Sequence, residues 1–84
     1  MQSYTAKYRE IGRRIAFYRN FKQYSQEELA LKINVSKSYI SKIEAPGSDI
    51  SFSLDVLFAI ADGLEIDVSA FFLPINEERL MEKR

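Results

Sequence analysis

Residues 36–44 concentrate side chains that can bind an anionic surface rich in hydrogen-bonding groups. One face of the segment offers two ammonium and two hydroxyl groups, on Lys37, Ser38, Ser41 and Lys42. Ser36 is a favourable N-cap, and a helix that starts there places Ile40 and Ile43 together on the opposite face. The segment therefore predicts a helix over Lys37–Glu44 with an apolar inner face and a polar, cationic outer face.

The chain lacks the residues that most catalytic and metal-binding sites require. There is no histidine and no cysteine, so histidine bases, histidine or thiolate metal ligands and disulfides are excluded. No glycine-rich phosphate loop follows a strand pattern. We therefore expect a binding protein and not an enzyme, with no cofactor and no metal.

Length and composition predict a single folded domain over residues 1–84. The chain is 46% hydrophobic and 29% charged, which is typical of a globular protein. We expect a core over about 6–73 and a tail or dimerisation helix over 74–84. No apolar run reaches the roughly 20 residues of a membrane span, and the first ten residues lack the apolar stretch of a secretory signal. These patterns predict a cytoplasmic protein with no membrane partner and no small-molecule ligand domain.

Net charge is zero, but the charges are segregated along the chain. Residues 1–44 hold nine basic and four acidic residues, a net charge of +5, and residues 45–84 hold three basic and eight acidic residues, a net charge of −5. A basic half could face phosphates while the acidic half faces away. An ordinary solvated surface is the alternative, and charge alone does not separate the two.

Periodic apolar residues and caps predict the helices that position this segment. A first helix over 6–22 follows from a stripe of residues at spacings of three and four, Tyr4, Tyr8, Ile11, Ile15 and Tyr18. Ser25 and Glu28 form a capping box that starts a second helix ending at Ile33. Asn34, which tolerates left-handed backbone angles, stands at the turn before the helix over 36–44.

The remaining helices are predicted from Ser53 onwards. Ser53 caps a fourth helix that ends near Gly63, and Asp67 caps a short fifth helix that Pro74 ends. The fifth helix carries Val68, Phe71 and Phe72. The tail from Ile75 to Arg84 is either a sixth helix or a frayed end.

Two short helices joined by two or three residues predict a helix-turn-helix. So short a joint around Asn34 and Val35 forces a steep crossing, and Ala30 supplies a small side chain there. The second helix then projects with its amino end free, and an α-helix fits the DNA major groove. The first amides of both helices can donate hydrogen bonds to phosphate oxygens.

The sequence from Ile11 to Phe72 resembles the phage repressor and Cro/C1-type (XRE-like) helix-turn-helix DNA-binding family. The matching stretches are Ile11-Gly12-Arg13-Arg14-Ile15, Ser25-Gln26-Glu27-Glu28-Leu29-Ala30, Ile33-Asn34-Val35-Ser36, Tyr39-Ile40-Ser41-Lys42-Ile43-Glu44, Ser53-Leu54 and Val68 to Phe72. The resemblance implies an all-α, compact five-helix fold like that of the lambda repressor.

The resemblance also implies roles for individual residues. Gln26 would bind a phosphate and help orient a base-reading side chain, and Lys37 and Ser38 would face base edges. Contacts to bases or backbone would come from Tyr39, Ser41 and Lys42, with Ser36 at the start of the helix. For Tyr39, sideways packing is an equal alternative. Arg13, Arg14 and Arg19 could extend the basic face, although a solvated helix surface is the more common outcome.

Two departures from the family pattern stand near the recognition helix. Asn34 replaces the common glycine of the turn, which is a mild change. The loop over 45–52 is longer than usual and carries Pro46-Gly47-Ser48-Asp49 where basic residues are common. This change argues against phosphate contacts from the loop, since Asp49 would repel the DNA backbone.

A homodimer is expected, because one module of this size contacts few base pairs and two-fold pairing extends the site. The predicted dimer surface is Phe71, Phe72, Ile75 and Leu80, with at least one of the two phenylalanines kept in the core. The expected function is a transcriptional regulator, such as a repressor, that binds a palindromic double-stranded DNA operator. The alternative is a protein-interaction module or antitoxin component that retains the scaffold with weak or no operator binding.

Overall fold

The computed structural model describes residues 3–75 and contains, over that range, four α-helices, one 3₁₀ helix and no strand. The elements are α1 (Thr5–Phe21), α2 (Gln26–Ile33), α3 (Lys37–Glu44), α4 (Leu54–Leu64) and the 3₁₀ helix (Val68–Phe72). The all-α prediction is therefore confirmed. Leu80 and the predicted sixth helix lie outside the described residues.

Serine side chains start three of the four α-helices, as predicted. The hydroxyl of Ser25 accepts from the Glu28 amide at 3.0 Å, and the Glu28 carboxylate accepts from the Ser25 amide at 2.8 Å. This backbone hydrogen bond lowers the pKa of Glu28 because it favours the charged form. Ser36 and Ser53 accept from the amides three residues on. The caps fix where α2, α3 and α4 begin.

The fifth element is a 3₁₀ helix, so the prediction of five α-helices is wrong. The Ala70 amide bonds to the Asp67 carbonyl three residues back at 3.0 Å, and the Asp67 carboxylate accepts from the Ser69 amide at 2.9 Å. Pro74 lacks an amide hydrogen and drives the preceding residue away from helical angles, so Leu73 is extended. Too few residues remain between cap and proline for an α-helix to propagate.

A single core lies between all five elements. Its fully buried side chains are Ile15 from α1, Leu29 from α2, Ile40 and Ile43 from α3, Ile60 and Leu64 from α4, and Phe71 from the 3₁₀ helix. Ile40 and Ile43 therefore occupy the inner face of α3, as their spacing predicts. The opposite face of α3 is left to solvent.

Two glycines allow helices to approach closely. A Cβ on Gly12 of α1 would overlap the carbonyl oxygen of Ile43 in α3. A Cβ on Gly63 of α4 would lie 2.7 Å from Cγ2 of Ile33 in α2. Gly63 thus serves helix packing. The helix α4 ends at Leu64, and its C-cap, Glu65, adopts left-handed angles (φ 59°, ψ 45°).

Replacing Glu65 with glycine should raise the free energy of unfolding by about 0.5–1 kcal/mol. A non-glycine residue in the left-handed conformation destabilises the folded state by about 1–2 kcal/mol, and glycine removes this cost. Glycine also raises the entropy of the unfolded chain, which offsets part of the stabilisation. The ion pair that is lost, Lys32 to Glu65 at 3.7 Å, is exposed and contributes little. Urea unfolding measures the change. Asn34→Gly at the other left-handed helix cap (φ 62°) should gain less, since asparagine tolerates this region. A less stable Glu65→Gly protein would contradict the argument.

Candidate nucleic-acid interface

The turn between α2 and α3 consists of Asn34, Val35 and Ser36. Asn34 adopts the left-handed conformation that sequence reasoning assigned to it, and the Val35 amide donates to the Ala30 carbonyl at 2.9 Å. Ala30 is buried beneath the joint. Local backbone bonds and a small side chain thus hold the two helices of the motif together.

The outer face of α3 presents most of the predicted DNA-contacting side chains to solvent. The exposed residues are Ser36, Lys37, Ser38, Ser41 and Lys42. Within residues 3–75, the side chains of Lys37, Ser38, Ser41 and Lys42 make no hydrogen bond or ion pair. Tyr39 is half-buried and packs against the core, which leaves only part of its ring accessible. The face carries hydrogen-bonding groups available to an external partner.

The amino end of α3 adds backbone donors to this face. The Ser36 hydroxyl accepts from the Tyr39 amide, whereas the amides of Lys37 and Ser38 have no acceptor within the described residues. Unpaired amides at a helix start carry partial positive charge and favour an anion. The arrangement suits a phosphate oxygen.

Gln26 lies at the first position of α2 and is held by the last residue of α3. Its Nε2 donates to Oε1 of Glu44 at 3.0 Å. The contact fixes which way the amide points, and leaves the second N–H and the Oε1 of Gln26 for other partners. Gln26 is half-buried, so its remaining donor stands at the edge of the candidate interface.

A buried ion pair, which sequence reasoning missed, anchors this contact. Arg19 of α1 binds Glu44 through two hydrogen bonds of 2.8 Å, and a third nitrogen donates to the Tyr24 carbonyl at 2.6 Å. The Glu44 side chain is 6% exposed and that of Arg19 is 10% exposed. The Glu44 carboxylate raises the pKa of Arg19, chiefly by hydrogen bonding. Glu44 is the single acid of α3, which was the available signal, but its partner lies 25 residues away.

Arg14 is also withdrawn from the basic face. It is buried, donates to the Phe71 carbonyl at 3.2 Å and pairs with Glu10 one turn earlier on α1. Arg14 and Arg19 therefore hold α1 against the rest of the fold, whereas Arg13 is exposed. Of Arg13, Arg14 and Arg19, which could have extended the basic face, only Arg13 is exposed.

The loop after α3 is tied to α1 by Arg9. Its Nε donates to the Ser48 carbonyl at 2.6 Å, and its Nη2 donates to Oδ1 of Asp49 at 2.7 Å. The carboxylate of Asp49, which sequence reasoning expected to repel DNA, thus has a cationic partner. The Asp49 side chain is nevertheless 85% exposed.

The predicted dimer residues divide between core and surface. Phe71 is fully buried and packs edge-on to Tyr18, with ring centroids 6.2 Å apart, so its side chain is not available to a second copy. This corrects its assignment to the dimer surface. Phe72 is 49% exposed, Leu73 beside it is 46% exposed, and Ile75 is half-buried. An apolar surface therefore does lie at this end of the described chain.

A membrane span and a metal site are two other features that residues 3–75 could contain. None of the helices there combines the length and apolarity needed to cross a membrane. No group of three or more potential metal ligands occurs over the same range.

Two curated proteins are similar in sequence. The chain is 42% identical over 62 residues to the HTH-type transcriptional regulator SlrR of Bacillus subtilis (strain 168), covering 74% of this chain and 40% of that protein. It is 37% identical over 73 residues to the immunity repressor protein of Bacillus phage phi105, covering 87% of this chain and 47% of that protein. The chain thus spans less than half the length of these relatives.

Solved structures of restriction-modification controller proteins share the fold. The controller protein C.AhdI from Aeromonas hydrophila superposes with a TM-score of 0.73 at 28% identity, covering 80% of this chain and 98% of that one. C.Esp1396I bound to a 19-base-pair DNA duplex superposes with a TM-score of 0.70 at 31% identity, covering 92% and 93%. Residues 15–71 match the family model described as helix-turn-helix. The chain belongs to the XRE-type helix-turn-helix family.

Proposed function

We propose that this protein is a sequence-specific transcriptional regulator that binds double-stranded DNA with α3 in the major groove. The observation that carries the proposal is the outer face of α3, where cationic and hydroxyl side chains without internal partners stand over buried Ile40 and Ile43. The similarity to a phage immunity repressor supports repression, and a similar controller protein was solved on a DNA duplex.

The interface divides into groups that position the protein and groups that read sequence. Phosphates are bound by Gln26, by Lys42 and by the free amides of Lys37 and Ser38. Base edges are read by the side chains of Lys37 and Ser38, with Ser41 and the accessible part of Tyr39 beside them. Lysine donates to the O6 and N7 atoms of guanine, so a guanine is the base expected opposite Lys37.

The protein binds a palindromic operator as a homodimer. One module of this size contacts few base pairs, and an apolar surface at the carboxyl end of the described residues can pair with a second copy. Phe72, Leu73 and Ile75 are apolar, lie close together in sequence and are at least partly exposed, and a second copy would cover them. In a two-fold complex the recognition helices would lie roughly 34 Å apart, one DNA turn. The controller protein C.Esp1396I, which is similar in fold, was solved as a tetramer on a 35-base-pair operator.

Replacing Lys37 with alanine should relax specificity at one symmetric pair of operator positions. Loss of one base contact costs about 1–3 kcal/mol of discrimination. The measurement is selection from a randomised duplex pool, run with wild type, Lys37→Ala and the control Lys32→Ala. Lys32 carries the same charge, but its ammonium is occupied by the Tyr24 hydroxyl at 2.8 Å.

The outcomes of the selection are distinct. A palindrome enriched by wild type and by Lys32→Ala, with one position relaxed in Lys37→Ala, supports the proposal. An unchanged motif in Lys37→Ala would move base reading to Ser38, Tyr39 or Ser41. No enrichment by folded wild type at low salt would contradict operator binding.

A second candidate, a protein-interaction module on the same scaffold, is favoured by the charge of residues 45–75. This stretch holds five acids and no lysine or arginine, and α4 exposes Leu54 and Phe58 on its outer side. Retention on heparin and on immobilised duplex DNA at low and moderate salt separates the candidates. Early elution from both columns would favour the interaction module, because a DNA-binding protein is held by phosphates and released by salt.

A further inference from the structure

Arg9 of α1 contacts the loop that follows α3. Its guanidinium forms an ion pair with Asp49 of that loop. The guanidinium donates hydrogen bonds to the Asp49 carboxylate at 2.7 Å and to the carbonyls of Ser48 and Gly47 at 2.6 and 3.4 Å. Its side chain is 40% exposed. Three hydrogen bonds to one loop hold Arg9 in place, yet solvent reaches it, so another anion can compete with Asp49.

With α3 in the major groove, as proposed above, this pair would lie beside the DNA. An eight-residue helix is about 12 Å long, close to the width of the major groove of about 12 Å. When α3 lies across the groove, the segment before it meets one sugar-phosphate strand, and the loop after it comes near the other. The crossing of α1 over Ile43 at Gly12 brings Arg9, one turn earlier on α1, to that same end of α3.

We propose that Asp49 competes with a DNA phosphate for Arg9 and thereby limits DNA affinity. The inference rests on the proposed function, with α3 in the groove. In the free protein the Asp49 carboxylate is paired with Arg9. In the complex a phosphate oxygen of the DNA accepts the hydrogen bond from the Arg9 guanidinium, and the Asp49 side chain turns to solvent. The loop carries no cation of its own between Ala45 and Phe52, so Arg9 of α1 supplies the cation that reaches the second strand.

Removing the Asp49 charge tests the competition. Binding of a fluorescent 20-base-pair duplex of random sequence is measured by anisotropy over a range of salt, since phosphate contacts do not depend on sequence. Asp49→Asn should raise affinity on the order of fivefold, the size of an exposed charge contact. The slope of log affinity against log salt should stay near that of wild type, because the same phosphate is bound in both complexes. Arg9→Gln combined with Asp49→Asn should remove the gain in affinity and flatten the slope by about 0.9, because one phosphate contact is lost.

Asp62→Asn is the matched control, because Asp62 is exposed on α4 and makes no ion pair among residues 3–75. It reports the effect of one unit of net charge alone. Equal gains from Asp49→Asn and Asp62→Asn, or an Asp49→Asn gain that survives Arg9→Gln, would overturn the competition. Unchanged or weaker binding by Asp49→Asn would overturn it as well, and wild-type binding in the same assay would leave the DNA-binding part of the proposed function standing. Failure of folded wild type to bind any duplex at low salt would instead overturn both.

Discussion

Replacing Gly12 with alanine should lower the free energy of unfolding by about 3 kcal/mol, near the upper end of overpacking costs. The new Cβ would overlap the carbonyl oxygen of Ile43 and lie 3.1 Å from its carbonyl carbon. Both atoms belong to the backbone of α3, so no side-chain rotation relieves the overlap and α1 must move away from α3. Alanine favours the helix by about 1 kcal/mol over glycine, which offsets only part of the cost.

Urea unfolding followed by circular dichroism measures the loss, with Gly47→Ala as control. A Cβ on Gly47 meets nothing within 4 Å, and that residue does not adopt positive φ. Gly47→Ala should therefore leave stability within about 0.5 kcal/mol of wild type. Similar stability of the two variants would mean that α1 and α3 do not touch at Gly12.

Replacing Glu44 with glutamine should destabilise the fold by about 3–5 kcal/mol. The change leaves the Arg19 guanidinium largely buried without a counter-charge, which costs more than the ion pair itself contributes. The double variant Arg19→Met with Glu44→Leu should recover much of the loss, because two apolar side chains leave no buried charge.

The control for Glu44→Gln is Asp49→Asn, which breaks the ion pair of Arg9 on the exposed surface. That loss should be below about 1 kcal/mol. A double-mutant cycle on Arg19 and Glu44, measured by urea unfolding, gives the coupling energy. Equal losses from Glu44→Gln and Asp49→Asn would contradict a buried, tightly paired Glu44.

The local parts of the fold could be predicted from the sequence because their causes lie within a few residues. Ser25 and Glu28 form the capping box that starts α2, and Asn34 takes the left-handed angles of the turn. The spacing of Ile40 and Ile43 identifies the inner face of α3, and the opposite side of the helix is therefore its outer face. These features depend on hydrogen bonds and periodicity that neighbouring residues determine.

The features that were missed depend on contacts between distant segments or on competing local signals. Arginine is usually a surface residue, and only the packing of α1 against α3 shows that Arg19 is buried with Glu44 as its partner. Gly63 suggested a helix end, but its lack of a Cβ serves the packing of α2 on α4, and Glu65 is the cap. Asp67 caps the start of a helix and Pro74 stops it a few residues later. The segment between them forms a 3₁₀ helix.

The inner and outer faces of α3 can change independently of each other. Ile40, Ile43 and Glu44 hold the helix to the fold, whereas Lys37, Ser38, Ser41 and Lys42 touch no other side chain by hydrogen bond or ion pair among residues 3–75. Substitutions on the outward face therefore carry almost no folding penalty. One scaffold can therefore present different outward surfaces by exchanging a few residues of α3, and duplicated copies can diverge in what they bind without first gaining stability.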